Sequence, residues 1–174
     1  MSDPIVAWRT EHEYFRRLLA LLQGQLDVFQ RGERPDYELM LDVIGYLREY
    51  GDAFHHPRED VAFARLAERR PDIELALARL KQEHRVIERA GERLAALLDQ
   101  ALDGAMVARV EIEVAAATYL VYYGNHIAKE DETVLVLAER AMTPQDWEAV
   151  MQVALPGARP AARLVAISSA APAR

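Results

Sequence analysis

The 174-residue sequence contains no cysteine. That excludes disulfides, thiolate zinc sites, thioether-linked haem and cysteine-ligated iron–sulfur clusters. Aromatic residues are few, at 7%, and β-branched residues are sparse, which removes the usual material of a sheet. Long apolar runs are missing too: residues 114–123, the most apolar stretch, reach about half the ~20 residues of a membrane span. The amino terminus carries Asp3 and Pro4 where a secretory leader has a basic patch and an apolar run. Basic charge is also short. The net charge of -7 and a pI near 5.3 argue against a nucleic-acid binder, because phosphate contacts need a basic face. These absences leave a soluble, cytoplasmic chain with no membrane or nucleic-acid partner as the expectation. Whether it is a monomer or a homodimer stays open.

What is abundant is Ala, Leu, Glu and Arg, the strong helix formers. With 51% apolar and 28% charged residues, the chain can bury a core and forms one domain of ordinary size. Asp3 and Pro4 open a first helix over residues 4–30. A polar connection, 31–35, leads to Asp36 as the cap of a second helix over 37–70, interrupted or kinked near Pro57. Pro71 and Asp72 open a third helix that ends near Leu102 at Asp103 and Gly104. A fourth helix covers 105–141, and Thr143 with Pro144 starts a short fifth through residue 155. The expected architecture is therefore all-α: an antiparallel up-down four-helix bundle with a short C-terminal helix, occupying residues 1–155. Residues 156–174 are rich in Ala, Pro and Arg. All acids lie at or before Glu148, and the tail holds Arg159, Arg163 and Arg174. It reads as a flexible or docked segment beside an acidic body.

The chain has five histidines: His12, His55, His56, His84 and His126. Four of them have an acid four positions later, at Glu59, Asp60, Glu88 and Glu130. Residues four apart share a helix face, so such a pair can present a nitrogen and an oxygen to one point. An internal repeat strengthens the pattern. Glu11-His12 recurs as Glu83-His84, and His55-x3-Glu59-Asp60 recurs as His126-x3-Glu130-Asp131. The offsets are 72 and 71 residues. At a rise of about 1.5 Å per residue, counting from the connections puts His12, His55, His84 and His126 at one depth, to within about a helical turn.

Four imidazoles and two carboxylates in one buried layer suit metal ions, because buried carboxylates are costly unless paired or coordinated. Imidazole suits iron, zinc and copper. Two carboxylates are the number needed to bridge two metals about 3.5–4 Å apart. Each metal then has two histidines and two bridges, with open positions for dioxygen, peroxide or nitric oxide. The lack of thiolates disfavours structural zinc.

These segments, Glu11-His12, Phe54-His55-His56-Pro57-Arg58-Glu59-Asp60 and His126-x3-Glu130-Asp131, resemble the hemerythrin-like, or HHE cation-binding, family over about residues 8–140. The resemblance implies a four-helix bundle holding a non-haem di-iron site. His12, His55, His84 and His126 would be terminal ligands of two iron ions, with Glu59 and Glu130 bridging. The implied function is to bind, sense or reduce a small diatomic or peroxide ligand. A peroxide- or nitric-oxide-consuming activity is left open, and the alternative is iron or cation homeostasis without catalysis. The sequence departs from oxygen-carrying members in one respect: it lacks the HxxxH pair on the third helix. Leu80 stands four before His84 and Glu88 four after.

Helix face places the other residues. His56 points about 100° away from His55 on an α-helix and is expected at the surface or in support, together with Asp60. Glu88 is either a surface acid or an additional ligand. Glu11 and Glu83 face sideways and are expected not to hold the ligating imidazoles. Tyr119, Tyr122 and Tyr123 fit core packing, with a hydroxyl aimed at a bound ligand as the alternative. Trp8, Phe15 and Leu19 flank His12, and Leu80 and Ile87 flank His84, as a dry lining. Gly51, Gly91 and Gly124 are candidates for opening a small channel.

Overall fold

A computed structural model describes residues 4–153, and all of the regular structure among them is helical. α1 spans Pro4–Gln30. The second rod is α2 (Tyr37–Tyr46), a π-helical stretch (Leu47–His55) and α3 (His56–Arg69). A 3-10 turn, Pro71–Ile73, leads into α4 (Glu74–Leu102). The fourth rod is α5 (Arg109–Lys129), a second π stretch (Glu130–Val134) and α6 (Leu135–Ala141). α7 (Pro144–Met151) follows and lies against α3. α4 packs on α5 and on the second rod, and α1 packs on α5 and α2. No helix among the described residues is long and apolar enough to cross a membrane.

Local chemistry sets the boundaries. Gly32 (φ 84) and Gly104 (φ 83) end α1 and α4 in the left-handed region, which only glycine enters freely. At each end the glycine N–H bonds three residues back and the next N–H five back, so two orphan carbonyls are satisfied. Asp36 caps α2 by accepting from the Leu39 N–H. Thr143 and Asp146 form a reciprocal capping box at the start of α7.

Two expected helix bounds are corrected here, and the disturbance near Pro57 takes a definite form. The fourth rod begins at Arg109 rather than at residue 105, because the chain runs irregularly after Gly104 and tucks Val107 against the core. α7 ends at Met151 rather than at residue 155, and a tighter Val153-to-Val150 turn closes it. The disturbance expected near Pro57 is present as a local distortion of a continuous helical rod, not as a break. Pro57 has no N–H to give the Ala53 carbonyl, and the chain takes i→i+5 bonding just ahead of it, with the His56 N–H on Gly51 O. The second π stretch contains no proline and had no signal in the sequence. The Asp3 cap and the 156–174 tail lie outside the described residues.

The apolar interior falls into two clusters. One holds Phe15, Leu22, Ile44, Leu47, Leu94 and Tyr119 among others, and the second holds Trp8, Phe63, Leu66, Leu77, Leu80 and Leu135 among others. On every rod the two clusters are separated by a short interval: around His12, at His55 to Glu59, around His84, and from the turn after Ile127 through Glu130, with His126 at its edge. A polar layer therefore crosses an otherwise dry core.

Candidate metal centre

His12, His55, His84, His126, Glu59 and Glu130 are all buried in that layer, with His12 and His126 fully excluded from solvent. α1 delivers His12, the junction of the first π stretch with α3 delivers His55 and Glu59, and α4 delivers His84. α5 supplies His126, and Glu130 begins the second π stretch. The ligand-capable atoms of His12, His55 and Glu59 lie within 4.8 Å of one another. So do those of His56, Glu59, His84 and His126.

Glu59 belongs to both groups. Its Oε1 is 2.8 Å from His55 Nε2 and 3.2 Å from His12 Nε2, while Oε2 is 3.3 Å from His84 Nε2. Glu130 repeats the arrangement from the opposite rod. Its Oε2 faces His12 Nε2 at 3.6 Å, and Oε1 faces His126 Nε2 at 3.1 Å and His84 Nε2 at 3.8 Å. Each carboxylate thus turns one oxygen toward each imidazole group. The Trp8 indole donates to Glu59 Oε1 at 2.8 Å and braces it. Both Glu130 oxygens, Glu59 Oε2 and the His84 and His126 Nε2 atoms lack a hydrogen-bond partner. Buried polar atoms are rarely left so, and this convergence is what a cation would satisfy.

The far side of each ring is held by an acid on another rod. His55 Nδ1 donates to Glu11 at 2.6 Å, and His126 Nδ1 to Glu83 at 3.2 Å. His12 Nδ1 donates to Asp131 at 2.9 Å, and His84 Nδ1 to Asp60 at 3.0 Å. An ionised carboxylate only accepts, so Nδ1 carries the proton and Nε2 is left facing the interior. Each acid is in turn paired with a cation: Glu11 with Arg58, Asp131 with Arg16, Asp60 with Lys81 and Glu83 with Lys129. The expectation that Glu11 and Glu83 play no such part is overturned. They do face sideways from their own histidines, but sideways on a packed helix is toward the neighbouring rod, where His55 and His126 stand.

These contacts set the charge of the layer. Burial alone would depress His12, but hydrogen bonds to Asp131 and Glu59 push it up to about 10. The same contest, won by Asp60, Glu130 and Glu59, raises His84 to about 11. His126 rises to about 9 against burial through Glu130 and Glu83. Burial would raise Glu59, but His55, His12 and His84 hold it well below the usual carboxylate range. Positive charge is required at this point in the interior, and without a metal the imidazoles supply it as protons.

Of the two places expected for His56, the surface and a supporting position, the structure shows the second. It is buried, its ring stacks on His84 at 4.2 Å and 6°, and it meets His126 at 5.7 Å. A π turn holds an additional residue, so neighbouring side chains diverge less than the roughly 100° of an α-helix. His55 leans toward α1 and His56 toward α4 and α5. The proline one residue on was the available signal. Glu88, by contrast, stays exposed on α4 and joins neither group. Tyr119 and Tyr123 are fully buried, whereas Tyr122 is 45% exposed. Gly51 and Gly91 open no channel: the Tyr123 and Tyr119 rings fill the space beside them, and Gly124 faces open space. A small apolar cavity, with room for about one water-sized molecule, does abut both glutamates, walled by Trp8, Phe63, Val134 and Trp147 among others.

Comparison with known proteins matches the hemerythrin HHE cation-binding domain to residues 3–138. No curated protein matches the chain. The matched span covers three rods whole, the fourth as far as residue 138 and every residue of the polar layer, and the chain belongs to the hemerythrin HHE cation-binding family.

Proposed function

We propose that this chain is a non-haem di-iron protein, an antiparallel up-down four-helix bundle with a short C-terminal helix, that binds, senses or reduces a small oxidant. His12 and His55 would hold one iron, and His84 and His126 the other. Glu59 and Glu130 would bridge them. The observation that carries the reading is the split of each carboxylate, with Glu59 Oε1 turned to His12 and His55 and Oε2 to His84. Imidazole and carboxylate donors without thiolate suit iron, and the ion pair so held supplies Lewis acidity and a redox centre.

The protein's own residues supply the rest. The four acid-backed imidazoles keep their Nε2 atoms aimed inward, Trp8 fixes Glu59, and the apolar cavity keeps bulk water from the carboxylates. A cavity of that size and polarity suits dioxygen, nitric oxide or peroxide rather than an organic substrate. The proposal includes a soluble, cytoplasmic chain with no nucleic-acid or membrane partner, in keeping with its net charge of -7.

Protein purified without chelator from iron-supplemented cells should carry about two irons per chain. The optical spectrum of the reduced, iron-loaded protein should change on adding dioxygen, peroxide or nitric oxide. Zinc alone, or no metal, contradicts the reading. Iron with no spectral response and no accelerated loss of peroxide assigns the chain to cation homeostasis instead.

A further inference from the structure

We propose that the outward face of α5 is a self-association surface, on which a second copy of this chain packs antiparallel to form a two-fold dimer. The inference goes beyond the metal reading and does not depend on it.

α5 is apolar on its outer side as well as its inner one. Ile112, Ala116, Tyr119 and Tyr123 pack inward, yet Val110, Val114 and Val121 stand outward at 60%, 59% and 59% exposure. From residue 114 to residue 128 the helix carries no acid, lysine or arginine, in a sequence that is 28% charged. A surface helix ordinarily puts charge on its outer side, and a helix apolar all round belongs in an interior. Val110, Val114, Ala117, Val121, Gly124 and Ala128 follow one another at intervals of four and three, which aligns them as one seam along the outward face. Beside the seam runs an open groove of about 390 Å³ between α4 and α5, with Ala90, Val110, Val114 and Thr118 in its wall.

The seam fits its own reverse. In two antiparallel copies centred at the level of Tyr119, Val110 faces Ala128, Val114 faces Gly124 and Val121 faces Ala117. Each valine meets a residue small enough to receive it, the large-to-small match that lets helices pack closely. A parallel pair would instead set valine on valine and glycine on glycine. The flanks agree. Glu111 and Lys129 lie about five helical turns apart on one side of the seam, and the two-fold brings each Glu111 within about a turn of the other copy's Lys129. Antiparallel order also opposes the helix dipoles. The chain's own residues 154–174 suit the face poorly: they hold Arg159, Arg163 and Arg174 and no acid, and the seam offers no charge to receive them. A single seam about 27 Å long covers less than a standard interface. The dimer should therefore be weak, with a Kd on the order of 10 µM.

Sedimentation equilibrium on the full chain tests this. Between about 1 and 300 µM, the weight-average mass of the wild type should rise from 19.7 kDa toward twice that value. Gly124→Leu fills the space that receives Val114 and should weaken dimerisation by about 30-fold or more. Its melting temperature in dilute solution should not fall, because within one copy a Cβ at Gly124 meets nothing within 4 Å. Adding Val114→Ala to that variant should recover about tenfold, as the antiparallel register requires. Val121→Glu, at a site already exposed, should also abolish the dimer. A wild type that stays monomeric at about 300 µM, or a dimer that survives either Gly124→Leu or Val121→Glu, would overturn the proposal. In a monomeric wild type, faster trypsin cleavage at Arg159 and Arg163 on introducing Val121→Glu would give the face to the chain's own tail instead.

Discussion

His12 Nδ1 lies 2.9 Å from Asp131 Oδ1, although 119 residues separate them. His84 and Asp60 form the matching contact at 3.0 Å. Each joins a lone histidine of one helical hairpin to the acid that follows the metal-facing glutamate of the other. The repeat Glu-His and His-x3-Glu-Asp is thus a closed circuit of four acid-backed imidazoles, in which neither half is complete alone.

Breaking that circuit should weaken metal binding more than folding. Asp131→Ala and Asp60→Ala each leave an imidazole free to turn and to change tautomer. Both should lower metal affinity by about 10- to 100-fold, the usual effect of losing a group behind a ligating histidine. Competition against a chromophoric chelator measures it. A loss below about threefold would mean that packing alone orients the rings.

Glycine substitutions should separate the packed from the open positions. A Cβ at Gly51 would lie 2.5 Å from the Tyr123 hydroxyl, so Gly51→Ala should cost about 1–3 kcal/mol through overpacking. Tyr123→Phe removes the offending oxygen and should recover most of that loss in the double variant. At Gly124 no atom lies within 4 Å, and Gly124→Ala should stabilise by about 0.5–1 kcal/mol. Urea unfolding of the variants gives each value.

The α7 cap carries a pH signature. Thr143→Ala should cost about 1 kcal/mol at neutral pH. The Thr143 backbone N–H, with the Thr143 hydroxyl and Arg69, holds Asp146 below the usual carboxylate range. A depressed carboxyl stabilises above its ordinary value and loses that contribution as pH falls through its folded one. The gap between wild type and Asp146→Ala should therefore be full at pH 7 and shrink below about pH 3.8, as read by thermal melts across that range.

Metal removal should lower stability, because Glu59 and Glu130 lose the cations that satisfy them. At a free metal concentration of about 100 times Kd, the folded state gains roughly 2.7 kcal/mol. The melting temperature should fall on adding chelator and return on adding metal. Glu130→Ala should abolish the metal-dependent part of the shift.

Much of this was legible from residue spacing. Apolar periodicity, Asp36, Gly104 and the Thr143-Pro144 start marked the helices, because caps and glycine turns act locally. The depth of His12, His55, His84 and His126 followed from counting turns, because rise per residue is nearly constant. What could not be read depends on neighbours. The partners of Glu11 and Glu83 stand on other rods, so their roles appear only once the rods pack. The surface alternative for His56 fails because its angle was counted on an α-helix, whereas Pro57 is preceded by π turns. The π stretch at Glu130 has no proline or glycine to announce it.

Anomalous diffraction from crystals of the iron-loaded protein tests the central claim most directly. Two iron peaks about 3.5–4 Å apart should appear between Glu59 and Glu130, each beside one imidazole group. A single peak, or iron bound only at surface carboxylates, would contradict it.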